Sequence, residues 1–335
     1  MQSAIYGFSG PRLTADERDF FRDANPAGYI LFRRNVEDRE QLRALTDELR
    51  ALHGRDDVPV LIDQEGGRVA RMQPPVWPAF PPGGRFADLY RVAPASAIEA
   101  MQANAQALAV MLREVGINVD CLPLLDVRQP GAHDIIGDRA LGSEPMQVAA
   151  LGRATIEGLR AGGVVGVVKH MPGHGRSMSD SHVELPVVSA TDDELESDIE
   201  PFRTLANAPM GMTAHVVYTA WDAERPGSLS PVVIGEIIRG RIGFDGLLMS
   251  DDLGMHALSG GFDARARGVL AAGCDLALHC SGVMQEMVAV ADGVGAMPEI
   301  SRQRLARAMA TIAEAADAVP FEELAAKRDS LLAYA

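Results

Sequence analysis

Short runs of aliphatic and β-branched residues alternate along nearly the whole chain with longer stretches whose apolar positions recur at helical spacing. The short runs predict strands: SAIYGF (3–8), GYILF (28–32), VPVLID (58–63), NVDCLPLLDV (118–127), VVGVVKH (164–170), MGMTAH (210–215), GLLMSDD (246–252) and CDLALH (274–279). Among the longer stretches, residues 38–52, 190–205 and 230–244 predict amphipathic helices. The second opens on Thr191 and Glu194, at the spacing of a capping box. Strands alternating with helices imply a mostly parallel sheet covered by helices, and eight strands are the number that closes a barrel. The expected fold is therefore α/β, a single (β/α)8 TIM-type barrel domain over residues 1–335. Within it, the Pro-rich 72–86 reads as a rigid loop and the Ala-rich 301–335 as two closing helices.

Composition narrows the class of protein. With 335 residues, 47% hydrophobic and 23% charged, the chain can bury a full core. Its net charge of −15 disfavours a sequence-independent grip on nucleic acid or an anionic membrane. The start of the chain lacks a positive segment followed by a long apolar run, so the chain reads as cytoplasmic. Cys121, Cys274 and Cys280 lie in apolar segments and read as buried thiols.

The predicted strands end on polar groups. Arg33, Arg34 and Asn35 follow the second strand, Asp63, Gln64 and Glu65 the third, Asp126 the fourth, Lys169 and His170 the fifth, His215 the sixth, and Asp251 and Asp252 the seventh. Catalytic groups of parallel barrels gather on that face.

The loop VVKHMPGHGRSMSDSHVELP (167–186) is the densest in chemistry. His170 and His174 have the spacing of two ligands on one helix face, but Pro172, Gly173 and Gly175 disfavour a helix there. His174 between two glycines reads as structural. Asp180 and His182, two apart in an extended stretch, point to one side, where the carboxylate can orient the imidazole for proton transfer. Asp252 and Glu65 read as bracing or orienting groups, and His279 as either a packing or an active-face residue.

Taken in order, GYILFRRN, IDQEGGRVARM, GINVDCLPLLDV, DIIGDRALG, VVKHMPGHGRSMSDSHVELP, TAHVVY and GFDGLLMSDDLGM resemble the successive signatures of glycoside hydrolase family 3, in its bacterial β-N-acetylglucosaminidase branch. The resemblance implies a retaining, exo-acting β-N-acetylhexosaminidase that passes through a covalent glycosyl-enzyme. On it, Asp251 matches the nucleophile, Asp180 and His182 the acid/base dyad, and Asp63, Arg71, Arg139, Lys169, His170 and His215 the substrate-binding set. A histidine then takes the place of one of the two carboxylates that retaining glycosidases typically use. The loop reads GRSMSD where many relatives carry GDT followed by variable residues. The implied substrate is a small saccharide or muropeptide, the N-acetylglucosamine–anhydro-N-acetylmuramic acid unit of recycled peptidoglycan. No cofactor, metal, nucleic acid or membrane is expected, and the expected state is a monomer. The alternatives are a phosphorylase on the same barrel, a metal-dependent barrel hydrolase, and a catalytically silent sugar-binding protein.

Overall fold

A computed structural model describes residues 1–181, 183–312 and 319–334. The predicted strands form as β1 (Gln2–Tyr6), β2 (Pro26–Leu31), β3 (Val60–Ile62), β4 (Val119–Asp120), β5 (Val165–Met171), β6 (Met210–Thr213), β7 (Leu247–Asp252) and β8 (Leu276–His279). Each pairs in parallel with its sequence neighbours, and β8 closes the barrel on β1 with Ile5 opposite Leu278.

Alternation along these strands serves two cores. Ile5, Ile30, Leu61, Val119, Val167, Met212 and Met249 pack inside the barrel. Their neighbours Ala4, Tyr6, Tyr29, Leu31, Val60, Ile62 and Val168 face the surrounding helices. Both faces of the sheet are thus apolar, which explains why the strands read as nearly continuous hydrophobic runs.

The helices are α1 (Ala15–Ala24), α2 (Arg39–Ala51), α3 (Gly83–Val92), α4 (Pro94–Glu114), α5 (Pro145–Ala161), α6 (Asp192–Thr204), α7 (Phe262–Ala272), α8 (Met284–Gly293), α9 (Glu299–Ala310) and α10 (Phe321–Leu332). α6 has the predicted capping box: the Thr191 hydroxyl accepts from the Glu194 N–H, and the Glu194 carboxylate accepts from the Thr191 N–H. The stretch 230–244 winds as a π-helix over Val233–Arg241, and nothing in its packing explains the wider turn.

Two predicted boundaries move. α3 begins at Gly83, inside the segment expected to be loop. The expected fourth strand, 118–127, keeps regular pairing only at Val119–Asp120, because Pro123 has no N–H to donate. The backbone still runs alongside β5 as far as Leu125, whose N–H donates to the Lys169 carbonyl at 2.7 Å. This irregular stretch delivers Asp126 to the end of the barrel. The cysteines are buried free thiols. Among the described residues no helix is long and apolar enough to cross a membrane.

Candidate active site

β3 ends at Ile62, so Asp63 emerges at the carboxyl end of the barrel. The chain then doubles back: Gln64–Gly66 pairs antiparallel with Val69–Ala70, and Gly66 and Gly67 take the turn at φ 94° and 57°, where a side chain would be strained. The Gln64 side chain locks this hairpin, its oxygen accepting from the N–H groups of Arg71 and Met72 at 2.9 Å each. Asp63, Glu65 and Arg71 are thereby carried on one short, cross-bonded segment.

β5 brings Lys169 against them. Its Nζ lies 3.0 Å from Asp63 Oδ1 and 2.7 Å from Glu65 Oε1, with the side chain 2% exposed. Arg71 Nη2 donates to Asp63 Oδ2 at 3.0 Å. Arg139 grips Glu65 from the other side, Nε and Nη2 each 2.8 Å from a carboxylate oxygen. The result is a row of alternating charge: Arg71, Asp63, Lys169, Glu65, Arg139.

The row keeps its members ionised. Burial alone would raise the Asp63 carboxyl, but Lys169 and Arg71 outweigh it and hold the pKa below the usual range. Glu65 is lowered in the same way by Lys169 and Arg139 against its own burial. Burial would lower Lys169, yet Asp63 and Glu65 raise it. Buried charges are tolerable only when paired and hydrogen-bonded, as these are.

This row borders a cavity of about 430 Å³, also lined by Arg34, Arg68, His170, His174, Ser181, Asp251, Asp252 and Met255. Asp251 is the last residue but one of β7, and its Oδ1 accepts the Asp252 N–H at 2.8 Å. Asp252 borders the cavity too, and its Oδ1 accepts N–H groups from Gly254 and Cys280 at 3.0 Å each, which ties the end of β7 to the residue after β8.

The loop after β5 packs closely at its start. A Cβ on Gly175 would lie 2.0 Å from the Val127 carbonyl oxygen, so only glycine fits. Arg176 then ties the loop to α6, with Nε 2.5 Å from Asp198 Oδ2 and Nη2 2.8 Å from the Glu194 carbonyl. Main-chain hydrogen bonds from His133 N to Ser177 O, 2.9 Å, and from Ala257 N to Ser181 O, 3.2 Å, hold the rest. Asp180 is half-buried on this loop. His182, expected as its partner, lies outside the described residues.

The structure thus brings Asp63, Arg71, Arg139, Lys169, His170 and Asp251 around one cavity. His215 is wholly buried, with Nδ1 2.6 Å from Ser228 Oγ and Nε2 3.0 Å from the Asp252 carbonyl. β6 ends at Thr213, two residues before it. His174, read as structural, also borders the cavity. Arg34 was noted only as a polar strand end; its guanidinium donates to the Phe8 and Cys280 carbonyls. His279 is buried within reach of Ser281 and Glu286. Among the described residues no three His, Cys, Asp or Glu side chains are placed to share a metal ion.

A closed parallel barrel with carboxylates and cations gathered over its carboxyl end has the architecture of a barrel enzyme acting on a polar ligand. Residues 4–315 match the model of the glycosyl hydrolase family 3 N-terminal domain. A beta-hexosaminidase of Alkalilimnicola ehrlichii is 41% identical over 282 residues, 83% of this chain and 80% of that protein. The crystal structure of native NagZ from Neisseria gonorrhoeae superposes with a TM-score of 0.87 at 31% identity, covering 98% of this chain and 97% of that one. The same Neisseria protein in complex with N-trifluoroacetyl-D-glucosamine gives a TM-score of 0.84 at 32% identity, over 99% of this chain and 96% of that one. The chain therefore belongs to glycosyl hydrolase family 3, in its β-N-acetylhexosaminidase branch.

Proposed function

We propose that the chain is a retaining exo-β-N-acetylglucosaminidase working by double displacement. Asp251 attacks the anomeric carbon while His182, oriented by Asp180, protonates the departing glycosidic oxygen. The glycosyl-Asp251 ester is then hydrolysed by a water that gives its proton to His182, and the sugar leaves with its β configuration restored. Asp63, Arg71, Arg139, Lys169 and His170 hold the sugar. The ionised Asp63 accepts from hydroxyl hydrogens while Lys169 and Arg71 donate to hydroxyl oxygens, so each hydroxyl can be met in both its capacities.

The observation that carries this reading is Asp251 sharing a cavity with the alternating row of charge. The Neisseria relative in complex with a 2-acylamino sugar supports a substrate with N-acetylglucosamine at its non-reducing end. We take the natural substrate to be the N-acetylglucosamine–anhydro-N-acetylmuramic acid unit released in peptidoglycan recycling, met in the cytoplasm by a monomer whose single catalytic domain spans residues 1–335.

A 2-deoxy-2-fluoro or 5-fluoro glycosyl donor should trap the covalent intermediate, and peptide mapping should place the label on Asp251. A label on Asp252 or Asp63 overturns the assignment. Aryl β-glycosides differing only at C2, tried with and without phosphate, test the rest. Equal turnover of glucoside and N-acetylglucosaminide contradicts the substrate, and dependence on phosphate converts the reading to a phosphorylase.

A further inference from the structure

The segment KHMPGHG rests on a carboxylate that the proposed reaction does not use. Asp126 is completely buried and does not border the cavity. Its Oδ2 lies 2.8 Å from His170 Nδ1, and its Oδ1 accepts the main-chain N–H groups of His170 and His174 at 3.2 and 2.7 Å. Burial alone would raise this carboxyl, but His170 and the other contacts bring it down to about 2, so it is ionised and purely an acceptor. The His174 ring stands edge-on to that of His170, centroids 5.7 Å apart, and limits its tilt.

We propose that Asp126 is a positioning residue: it accepts a hydrogen bond from His170 Nδ1, so that of the two ring tautomers the one with a bare Nε2 toward the cavity, an acceptor, is favoured. The same carboxylate holds the start of the loop that carries Asp180. Lys169 and Arg71 offer the sugar only donors, so the tautomer of His170 decides whether the hydroxyl it meets gives a proton or a lone pair. The inference rests on His170 as a sugar-binding residue.

Asp126→Asn separates these roles. The carboxamide has one acceptor oxygen, and two main-chain N–H groups claim it, because the reverse orientation would set the NH₂ against both donors. The NH₂ then faces His170 Nδ1, and the ring proton must move to Nε2.

In the wild type, above neutral pH, ¹⁵N spectra of histidine-labelled protein should show His170 protonated on Nδ1. A wild-type Nε2–H tautomer overturns the proposal whether or not the variant folds. In Asp126→Asn the two ring nitrogens should exchange character, and kcat/KM should fall by about ten- to a hundredfold, the usual cost of losing a group that orients a ligand. In a His170→Ala background the same substitution should change kcat/KM by less than about twofold, because coupled residues are non-additive. Equal losses in both backgrounds mean that Asp126 acts through the fold and not through His170. If His170→Ala itself keeps full activity, the sugar-binding role of His170 fails. If His170→Ala is impaired and Asp126→Asn is not, only the present inference fails.

Discussion

The charged row on β3 and β5 and the loop that follows β5 border the same cavity but are held by different forces. In the row, strand ends and a locked hairpin carry side chains whose buried charges fix one another, from Arg71 through Lys169 to Arg139. The loop is joined to neighbouring loops by main-chain hydrogen bonds from His133 and Ala257, and to α6 by the Arg176 tether. Charges paired out of water are far costlier to separate than single main-chain bonds, each worth about 1 kcal/mol net. The groups assigned to hold the sugar are therefore set before it arrives, whereas the loop that carries Asp180 depends on the loops around it.

The sharpest break comes on the loop side. His182→Ala removes the proton that a sugar alkoxide needs in order to leave, and disaccharide turnover should fall by about a thousandfold, within the usual range for a general acid. A nitrophenyl glycoside needs no such proton. It should give a burst of nitrophenol and then stall as glycosyl-Asp251, since the second step lacks its base. Disaccharide turnover at the wild-type rate would remove His182 from the mechanism.

On the row side, Lys169→Ala leaves Asp63 and Glu65 facing each other without their shared cation. We expect kcat/KM to fall about ten- to a hundredfold from the lost charge-assisted bonds. Unfolding free energy should drop by about 3 kcal/mol, because one partner has been removed from a buried network. Undiminished activity would mean that the row does not hold the substrate.

The smallest effect sits where the two regions meet. Burial, and then the neighbouring His170, lower the His174 ring from 6.5 to about 4. Between those values the unfolded chain binds a proton that the folded chain refuses, so stability is complete above pH 6.5 and falls as pH drops toward 4. The loss assigned to this ring is at most about 3 kcal/mol. Urea unfolding of His174→Asn should show a shallower decline over that window, and identical slopes would mean that the ring is not held neutral.

The barrel was legible because its order is local: each strand is a run of apolar residues ended by polar ones, and each is followed by a helix. Asp63 and Lys169 could be picked out for the same reason, as first polar residues beyond such runs, and Asp251 as the first charged residue beyond another. Partnerships were not legible. Glu65 and Arg139 are 74 positions apart, and Asp126 and His170 are 44 apart. Nothing in either local stretch shows that a carboxylate will meet that cation or that imidazole. The partners of His215, the Ser228 hydroxyl and the Asp252 carbonyl, were equally hidden, lying 13 and 37 positions away. The glycines flanking His174 marked a turn, but not that Gly175 passes close to Val127 and Gly173 close to Asp198.

The cavity also sets the molecule's electric character apart from its surroundings. Among the described residues, Arg34, Arg68, Arg71, Arg139 and Lys169 line it against Asp63, Glu65, Asp251 and Asp252, five cations to four anions, in a chain whose net charge is −15. An anionic glycan approaching from solution first meets a repelling field, which mobile ions damp beyond about 8 Å at physiological salt. Binding of an acidic glycan should therefore quicken as salt rises, whereas that of an uncharged sugar should not change with ionic strength, and stopped-flow binding at two salt concentrations checks the difference.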